Sequence, residues 1–290
     1  MKPDRFTYHA PKTIDEVIIL LNDCPDSKLL AGGQSLMPML NMRIVTPANL
    51  IDLNRVRGLD GIHERNGEVV IGAMTRQRDI EFSATVHERL PLLAEAITWT
   101  GHRQTRNRGT IGGSLCHLDP SAEQPGIAVA MEAQLEIVGP NGLRSIPMLE
   151  FGSALMTTVL LPNELLTAIR FKPWAPGHGW AFTEFARRHG DFAIVSASAL
   201  LELDKEGCVS RVALTLGGVA AMPLRISAAE ERLLGTKLGP ADIEAAAVLC
   251  QNIDALDDPQ IPKWYRQQLA KALMSRILPT ALSRAQVPNQ

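Results

Sequence analysis

Two glycine pairs about 80 residues apart restrict this chain more than any other feature. The first lies in Ala31-Gly32-Gly33-Gln34-Ser35-Leu36, which Leu30 leads into. The second lies in Thr110-Ile111-Gly112-Gly113-Ser114-Leu115, with Asp119-Pro120-Ser121 close behind. A small hydroxyl residue follows each pair, and each pair is expected to precede a helix. Glycine admits positive φ and the close approach of a bulky anion. Exposed amides at a helix start attract phosphate. Two such loops are expected to grip one diphosphate from both sides. Neither reads G-x-G-x-x-G, and no G-K-[ST] occurs, which argues against a Rossmann fingerprint and a P-loop.

The rest of the chain supplies no rival chemistry. Its 290 residues are 46% hydrophobic, enough for one large core or two smaller domains. A net charge of −2 gives no field that would favour nucleic acid or an anionic membrane. No stretch approaches the roughly 20 apolar residues of a membrane span. Met1 to Arg5 leads into no apolar run, so no signal peptide and a cytoplasmic location are expected. Cys24, Cys116, Cys208 and Cys250 lie far apart and form no C-x-x-C, so no metal site is expected. No H-E-x-x-H or G-x-S-x-G occurs and no catalytic side chain stands out, so a cofactor is expected to carry any chemistry.

The spacing predicts α+β structure throughout. Thr13-Ile14-Asp15-Glu16 reads as a capping box before a helix ending near Asn22. Lys28–Ala31, Leu50–Leu53 and Val69–Gly72 read as strands, and Ser35 as the cap of a short helix. Helical spacing continues over Leu90–Thr100 and, after a second capping pattern at Ser121-Ala122-Glu123-Gln124, to Ala133. Gln134–Val138 and Leu143–Ile146 form an expected hairpin. Pro173 to Gly179 is the expected boundary. Beyond it, Trp180–Arg188, Phe192–Leu203 and Val209–Val219 read as one antiparallel sheet. Helices follow at Ala228–Leu234, Pro240–Asn252 and Pro262–Ile277.

His102 to Arg108 carries three arginines and reads either as a basic rim near a diphosphate or as a solvated turn. Asp119 and Glu123 could accept bonds from ribose hydroxyls, or serve as helix-start carboxylates. Arg187 to Ala193 reads mostly as a hairpin turn.

Ala31 to Pro38, Arg106 to Leu115 and Asp119 to Glu123 resemble the FAD-binding medium subunit of the molybdenum hydroxylases, the group of carbon monoxide dehydrogenase, xanthine dehydrogenase and bacterial N-heterocycle hydroxylases. The resemblance continues through Ile71 to Thr75 and Arg188 to Ala193. It implies a PCMH-type FAD-binding domain over 1–175, with lobes at about 1–55 and 56–175. A small antiparallel sheet-plus-helices domain like that of carbon monoxide dehydrogenase flavoproteins then fills 180–285. It implies noncovalent FAD held by Leu30 to Leu36 and by Thr110 to Ser114. Asp119 and Glu123 stand at the acidic positions, Thr100 and Leu166 beside the flavin, and Arg188 in the second-domain motif. It also implies a small subunit with two [2Fe–2S] clusters and a large molybdopterin subunit, assembled as a dimer of heterotrimers, a heterohexamer. Substrate, an N-heterocycle, a purine-like compound, an aldehyde or CO, is then oxidised at the molybdenum subunit. Electrons pass through FAD to an external acceptor.

Two positions depart from the family. Thr183 stands where xanthine dehydrogenases carry a flavin-side lysine, which favours an acceptor other than NAD. Cys116 stands where alanine is more usual. The cluster-bearing insertion of hydroxybenzoyl-coenzyme A reductases is absent. The competing readings are a self-contained flavin oxidase of the same fold, linked through His117 or Cys116, and a binding protein that kept the fold without catalysis.

Overall fold

The computed structural model describes residues 1–286. A first lobe is built on three short parallel strands: β1 (Thr7–His9), β2 (Ser27–Leu30) and β3 (Asn49–Asp52), with β3 in the middle. Helix α1 (Ile14–Asp23) links β1 to β2. Its cap forms in part: Thr13 caps the helix, but Glu16 reaches back one residue further than a capping box requires. The Glu16 amide donates to the Thr13 hydroxyl at 3.2 Å, and the Lys12 amide donates to the Glu16 carboxylate at 2.6 Å. Helix α2 (Leu36–Asn41) follows the first glycine pair. The lobe's core is small: Val17, Ile51, Leu53, Val56 and Leu59 close over Met74 and Leu165, which come from the second lobe. The first lobe is therefore sealed by its neighbour.

The second lobe carries a five-stranded antiparallel sheet. Its strands are β4 (Ile62–Arg65), β5 (Glu68–Gly72), β6 (Gln134–Gly139), β7 (Gly142–Pro147) and, after the small pair β8 (Gly152–Ala154) and β9 (Thr157–Thr158), β10 (Leu165–Phe171). Their order is β4-β5-β10-β6-β7, so the last strand made lies in the middle. Six helices fill the gap between β5 and β6: α3 (Gln77–Glu81), α4 (Ala84–Arg89), α5 (Pro91–Ile97), α6 (Arg103–Arg108), α7 (Ile111–His117) and α8 (Glu123–Ala130). A bulge at Thr167 shifts the β10–β6 register, and the Thr167 carbonyl accepts the Ala73 amide at 2.9 Å.

The final unit is a four-stranded antiparallel sheet, β11 (Gly179–Phe185), β12 (Val195–Leu203), β13 (Val209–Gly217) and β14 (Leu224–Arg225), followed by α9 (Ser227–Leu233), α10 (Pro240–Gln251) and α11 (Lys263–Arg284). One face packs on α9–α11 and the other on the second lobe, where Phe182, Leu200 and Ala213 join its core. Cover on both faces explains why β12 is buried at eight of its nine positions instead of alternating.

Three expectations are corrected. Ser35 makes no capping bond, because its own backbone is already helical at φ −105° and ψ −49°. The helix after Pro120 begins at Glu123, flanked by Ala122 rather than capped by Ser121, whose amide is held by Asp119 at 2.8 Å. The last helix runs seven residues past Ile277, through Pro279, to Arg284. A proline inside a helix costs about 3 kcal/mol. Here Leu278, just before it, and Ala281, beyond it, are both buried. Arg284 bonds Glu95 and the Trp180 carbonyl. Tertiary packing outweighs the local cost.

Candidate functional site

The two glycine loops meet. A Cβ on Gly32 would lie 2.3 Å from the Arg108 carbonyl oxygen and 2.8 Å from the Gly109 Cα. A Cβ on Gly113 would lie 3.4 Å from the Ala31 Cβ. Only glycine at 32 permits this backbone-to-backbone contact between the lobes. Above it opens a cleft of about 850 Å³. That is near the top of the usual range for small-molecule and cofactor sites.

The loops are not equivalent. Gly33 sits at φ +74°, the conformation that turns successive amides to one side. The amides of Gly32, Gly33, Gln34, Ser35 and Leu36 donate to no acceptor among the described residues, and the Ser35 hydroxyl is equally uncommitted. The second loop is closed. Its amides go to Thr75 O (Ile111), Ala73 O (Gly112), Thr110 Oγ1 (Gly113) and Thr110 O (Ser114), at 2.9 to 3.2 Å. The expectation of free amides at both helix starts is therefore half wrong. Gly112 and Gly113 already lie inside α7, and their role is shape. A Cβ on Gly112 would stand 2.6 Å from Ala73.

The acidic positions are set into the same cleft. Glu123 lines it at only 6% exposure and accepts the Thr100 hydroxyl at 3.0 Å. Burial holds its carboxyl above the usual range, and Asp119 adds to this while the Thr100 bond opposes it. Asp119 lines the cleft too, and its carboxylate closes the turn at Ser121. Leu166, on the bulged strand β10, forms part of the apolar wall.

Most of the expected site residues line this one cleft: Ala31 to Leu36, Thr100, Thr110, Gly112 to Ser114, Asp119, Glu123 and Leu166. Three do not. Leu30 ends β2 behind the loop, within 3.3 Å of a Cβ on Gly33. Ile111 is fully buried in the core beneath α7. Arg188 is exposed in the β11–β12 connection, where its carbonyl accepts the Asp191 amide. Of the three arginines in the basic segment, Arg103 and Arg108 are exposed and only Arg106 is tied down. Arg106 is clamped by Glu81 at 2.8 Å and by the carbonyls of Thr98, Thr100 and Gly101. Thr183 does not line the cleft, and neither do its neighbours Phe182 and Glu184; Phe182 packs into the core of the second lobe instead.

Sequence reading undervalued Gly190-Asp191-Phe192, which reach the cleft mouth from the C-terminal unit. Phe192 is 67% exposed there, and Gly190 lies against the His102 ring, with no room for a Cβ. An aromatic residue straight after a Gly-Asp turn was the available signal.

Cys116 lines the cleft, and apolar surroundings push its thiol up to about 12. The thiolate that would attack an electrophile is scarce at neutral pH. Iodoacetamide at pH 8 should therefore modify Cys116 far more slowly in the folded chain than after urea. Equal rates by mass spectrometry would contradict the raised proton affinity of this thiol. Among the described residues, no group of three or more His, Cys, Asp or Glu is placed to hold a metal ion, and no helix is long and apolar enough to cross a membrane.

Comparison with known proteins agrees over nearly the full length. Residues 4–174 match the family model described as the FAD binding domain in molybdopterin dehydrogenase, and residues 180–281 match the carbon monoxide dehydrogenase flavoprotein C-terminal domain. The chain is 39% identical to subunit alpha of the 6-hydroxypseudooxynicotine dehydrogenase complex of Paenarthrobacter nicotinovorans, covering 98% of this chain and 97% of that one. A crystal structure of carbon monoxide dehydrogenase from Hydrogenophaga pseudoflava superposes with a TM-score of 0.96 at 40% identity, covering 99% of this chain and 100% of its counterpart. Quinoline 2-oxidoreductase from Pseudomonas putida 86 gives a TM-score of 0.93 at 34% identity, covering 98% and 99%.

Proposed function

We propose, for a chain that belongs to the FAD-binding medium subunits of the molybdenum hydroxylase family, that the cleft between its glycine loops holds one noncovalent FAD and relays electrons through it. The protein is an oxidoreductase subunit. One observation carries the site assignment: five consecutive unoccupied amides, Gly32 to Leu36, stand where the first loop touches the second. An amide run of this kind suits a diphosphate, which accepts hydrogen bonds and donates none.

The other roles follow from donor and acceptor chemistry. The hydroxyls of Ser35 and Ser114 reinforce the diphosphate end. Thr100, Asp119 and Glu123 answer the hydroxyl-rich linker of the cofactor, with Glu123 fixed in place by Thr100. Leu166 and Met74 give the ring an apolar wall, and Phe192 limits water at the mouth. Leu30 and Ile111 act from behind, by packing. Arg188 is left out of the cofactor site. Bound FAD supplies the ability to take up two electrons and pass them on. We assign the cofactor domain to about 1–175 and the C-terminal domain to about 180–285.

Relatives are named as a medium chain and as one subunit of a complex, so the chain is one component of a multi-subunit enzyme. The partners proposed are a small subunit with two [2Fe–2S] clusters and a large molybdopterin subunit, in a dimer of heterotrimers. Oxidation of the organic substrate or CO is assigned to the large subunit. Four unpaired thiols fit a reducing, cytoplasmic location.

The purified chain should be yellow and release one FAD per chain on heating or acid precipitation. FMN, or a flavin that stays on the precipitated protein, would overturn the assignment. Under anaerobic conditions, CO or an N-heterocycle should bleach the flavin only when both partner subunits are present. Bleaching of the lone chain would mean that it holds a substrate site of its own.

A further inference from the structure

Two polar side chains outside the cleft tie the lobes together at the roots of the glycine loops. Asn54 lies in the turn after β3, in the first lobe, and Arg76 stands just before α3, in the second. The Asn54 side chain bonds three ways. Its Nδ2 donates to the Ala31 carbonyl at 3.1 Å and to the Asp52 carboxylate. Its Oδ1 accepts from the Arg76 guanidinium at 2.5 Å. The other arm of that guanidinium donates to the Arg108 carbonyl. A side-chain amide can donate and accept at once, as this place demands. Asp52 is held in turn by the Tyr8 hydroxyl at 2.6 Å and by the Asn54 backbone amide at 2.9 Å.

This chain of bonds begins and ends on main-chain atoms of the loops. Ala31 opens the first loop. The Arg108 carbonyl, ahead of the second, is the atom that a Cβ on Gly32 would meet at 2.3 Å. The backbone of Arg76 is fixed to the second loop: it forms a bridge with Thr110, and the next amide, that of Gln77, donates to the Gly109 carbonyl at 2.9 Å. The Arg76 side chain then crosses to the first lobe. The apolar seal between the lobes draws on two second-lobe side chains, Met74 and Leu165, so a directed polar bond has leverage over their spacing. Neither Asn54 nor Arg76 lines the cleft, so neither is placed to touch a ligand there.

We propose that Asn54 and Arg76 are positioning residues that fix the separation of the two glycine loops, and with it the affinity for the diphosphate of the cofactor. This rests on the FAD reading above. Glycine at 32 lets the loops approach, and the latch keeps them there. Once it opens, the amides of Gly32 to Leu36 are no longer held opposite Ser114, and part of the binding energy goes into closing the gap.

A double-mutant cycle on the FAD dissociation constant of the full chain tests the latch. Asn54→Leu and Arg76→Met should each weaken binding about tenfold, as for one lost hydrogen bond to a charged group. The double variant should bind no worse than the weaker single, since one link is broken in every case. Losses that multiply in the double variant, or unchanged affinity in either single, would overturn the proposal. Arg76→Lys keeps the charge but cannot fork across two acceptors, and should lose about as much as Arg76→Met. Normal affinity in Arg76→Lys would mean that charge alone serves the site, which also overturns it. Asn163→Ala is the structural control. Asn163 donates to Asn22 at 3.1 Å, another bond between the lobes, and neither residue lines the cleft. That variant should bind FAD normally, and a tenfold loss in it would reduce the latch to general lobe packing. Urea unfolding of the flavin-free chains keeps the readings apart: Asn54 is exposed, so Asn54→Leu should unfold close to wild type. If Arg76→Met does not fold, Asn54→Leu decides alone, a tenfold loss supporting the latch and normal affinity refuting it. A wild-type chain without affinity for FAD would instead sink the FAD reading.

Discussion

Gly32→Val is expected to strip the protein of its flavin while leaving most of the fold. The new Cβ would press on the Arg108 carbonyl at 2.3 Å and the Gly109 Cα at 2.8 Å, both backbone, so no side chain can swing aside. Relief requires the glycine loops to part, and overpacking of this kind costs about 1–3 kcal/mol. Parting also turns the open amides of Gly32 to Leu36 away from the second loop. A loss of about 3 kcal/mol in binding corresponds to a drop of roughly 100-fold in affinity. The matched control is Gly126→Ala in α8, where a Cβ meets nothing within 4 Å. Flavin absorbance after gel filtration, read beside far-UV circular dichroism, separates the cases. Normal flavin content in Gly32→Val would show that the loop contact does not shape the site.

Arg266→Ala should be the most damaging single change in the C-terminal unit. Arg266 is 7% exposed and donates to the Ile194 carbonyl at 2.8 Å, the Gly218 carbonyl at 2.6 Å and Asp258 at 2.9 Å. It ties α11 to the entry of β12 and the exit of β13. Truncation leaves a void and strands the buried Ile194 and Gly218 carbonyls without a donor, at a cost of about 1–3 kcal/mol each. That is a large share of the stability of an ordinary domain. The unfolding temperature should fall by on the order of 10 °C in a scanning measurement. A shift of one or two degrees would mean that the neighbouring helices carry the unit without this arginine.

The elements that were legible in the sequence are those whose signal is local. The Thr13 helix cap, the hairpin around Asn141-Gly142 and the long strands after Gly179 follow from short-range rules and reappear with small shifts. The cleft itself was legible as a pair of motifs, because glycine at Gly32 answers a steric demand that no other residue meets. What sequence could not reveal depends on distant partners. Whether the amides of the second loop are free is settled by Ala73 and Thr75, about 35 residues upstream, which occupy two of them. Arg106 looked like a surface charge because Glu81 is remote in sequence. Which side chains of β11 face the second lobe depends on strand parity, since Phe182 packs there while Ala181 faces α9–α11.

The position of β10 in its sheet bears on how the chain is born. Its strand neighbours, β5 and β6, are both made earlier, and about 90 residues separate β5 from it. Until Leu165 to Phe171 leave the ribosome, the sheet has an open slot down its centre, and both lobes lack Leu165 and Leu166 from their walls. Synthesis at about 5–20 residues per second makes that interval last several seconds. During it, the exposed edges of β5 and β6 can pair with other chains. Cofactor capture is correspondingly late: the nascent chain reaches a flavin-competent shape only after its central strand is threaded, so early termination before residue 165 should yield an aggregating fragment rather than a smaller flavoprotein.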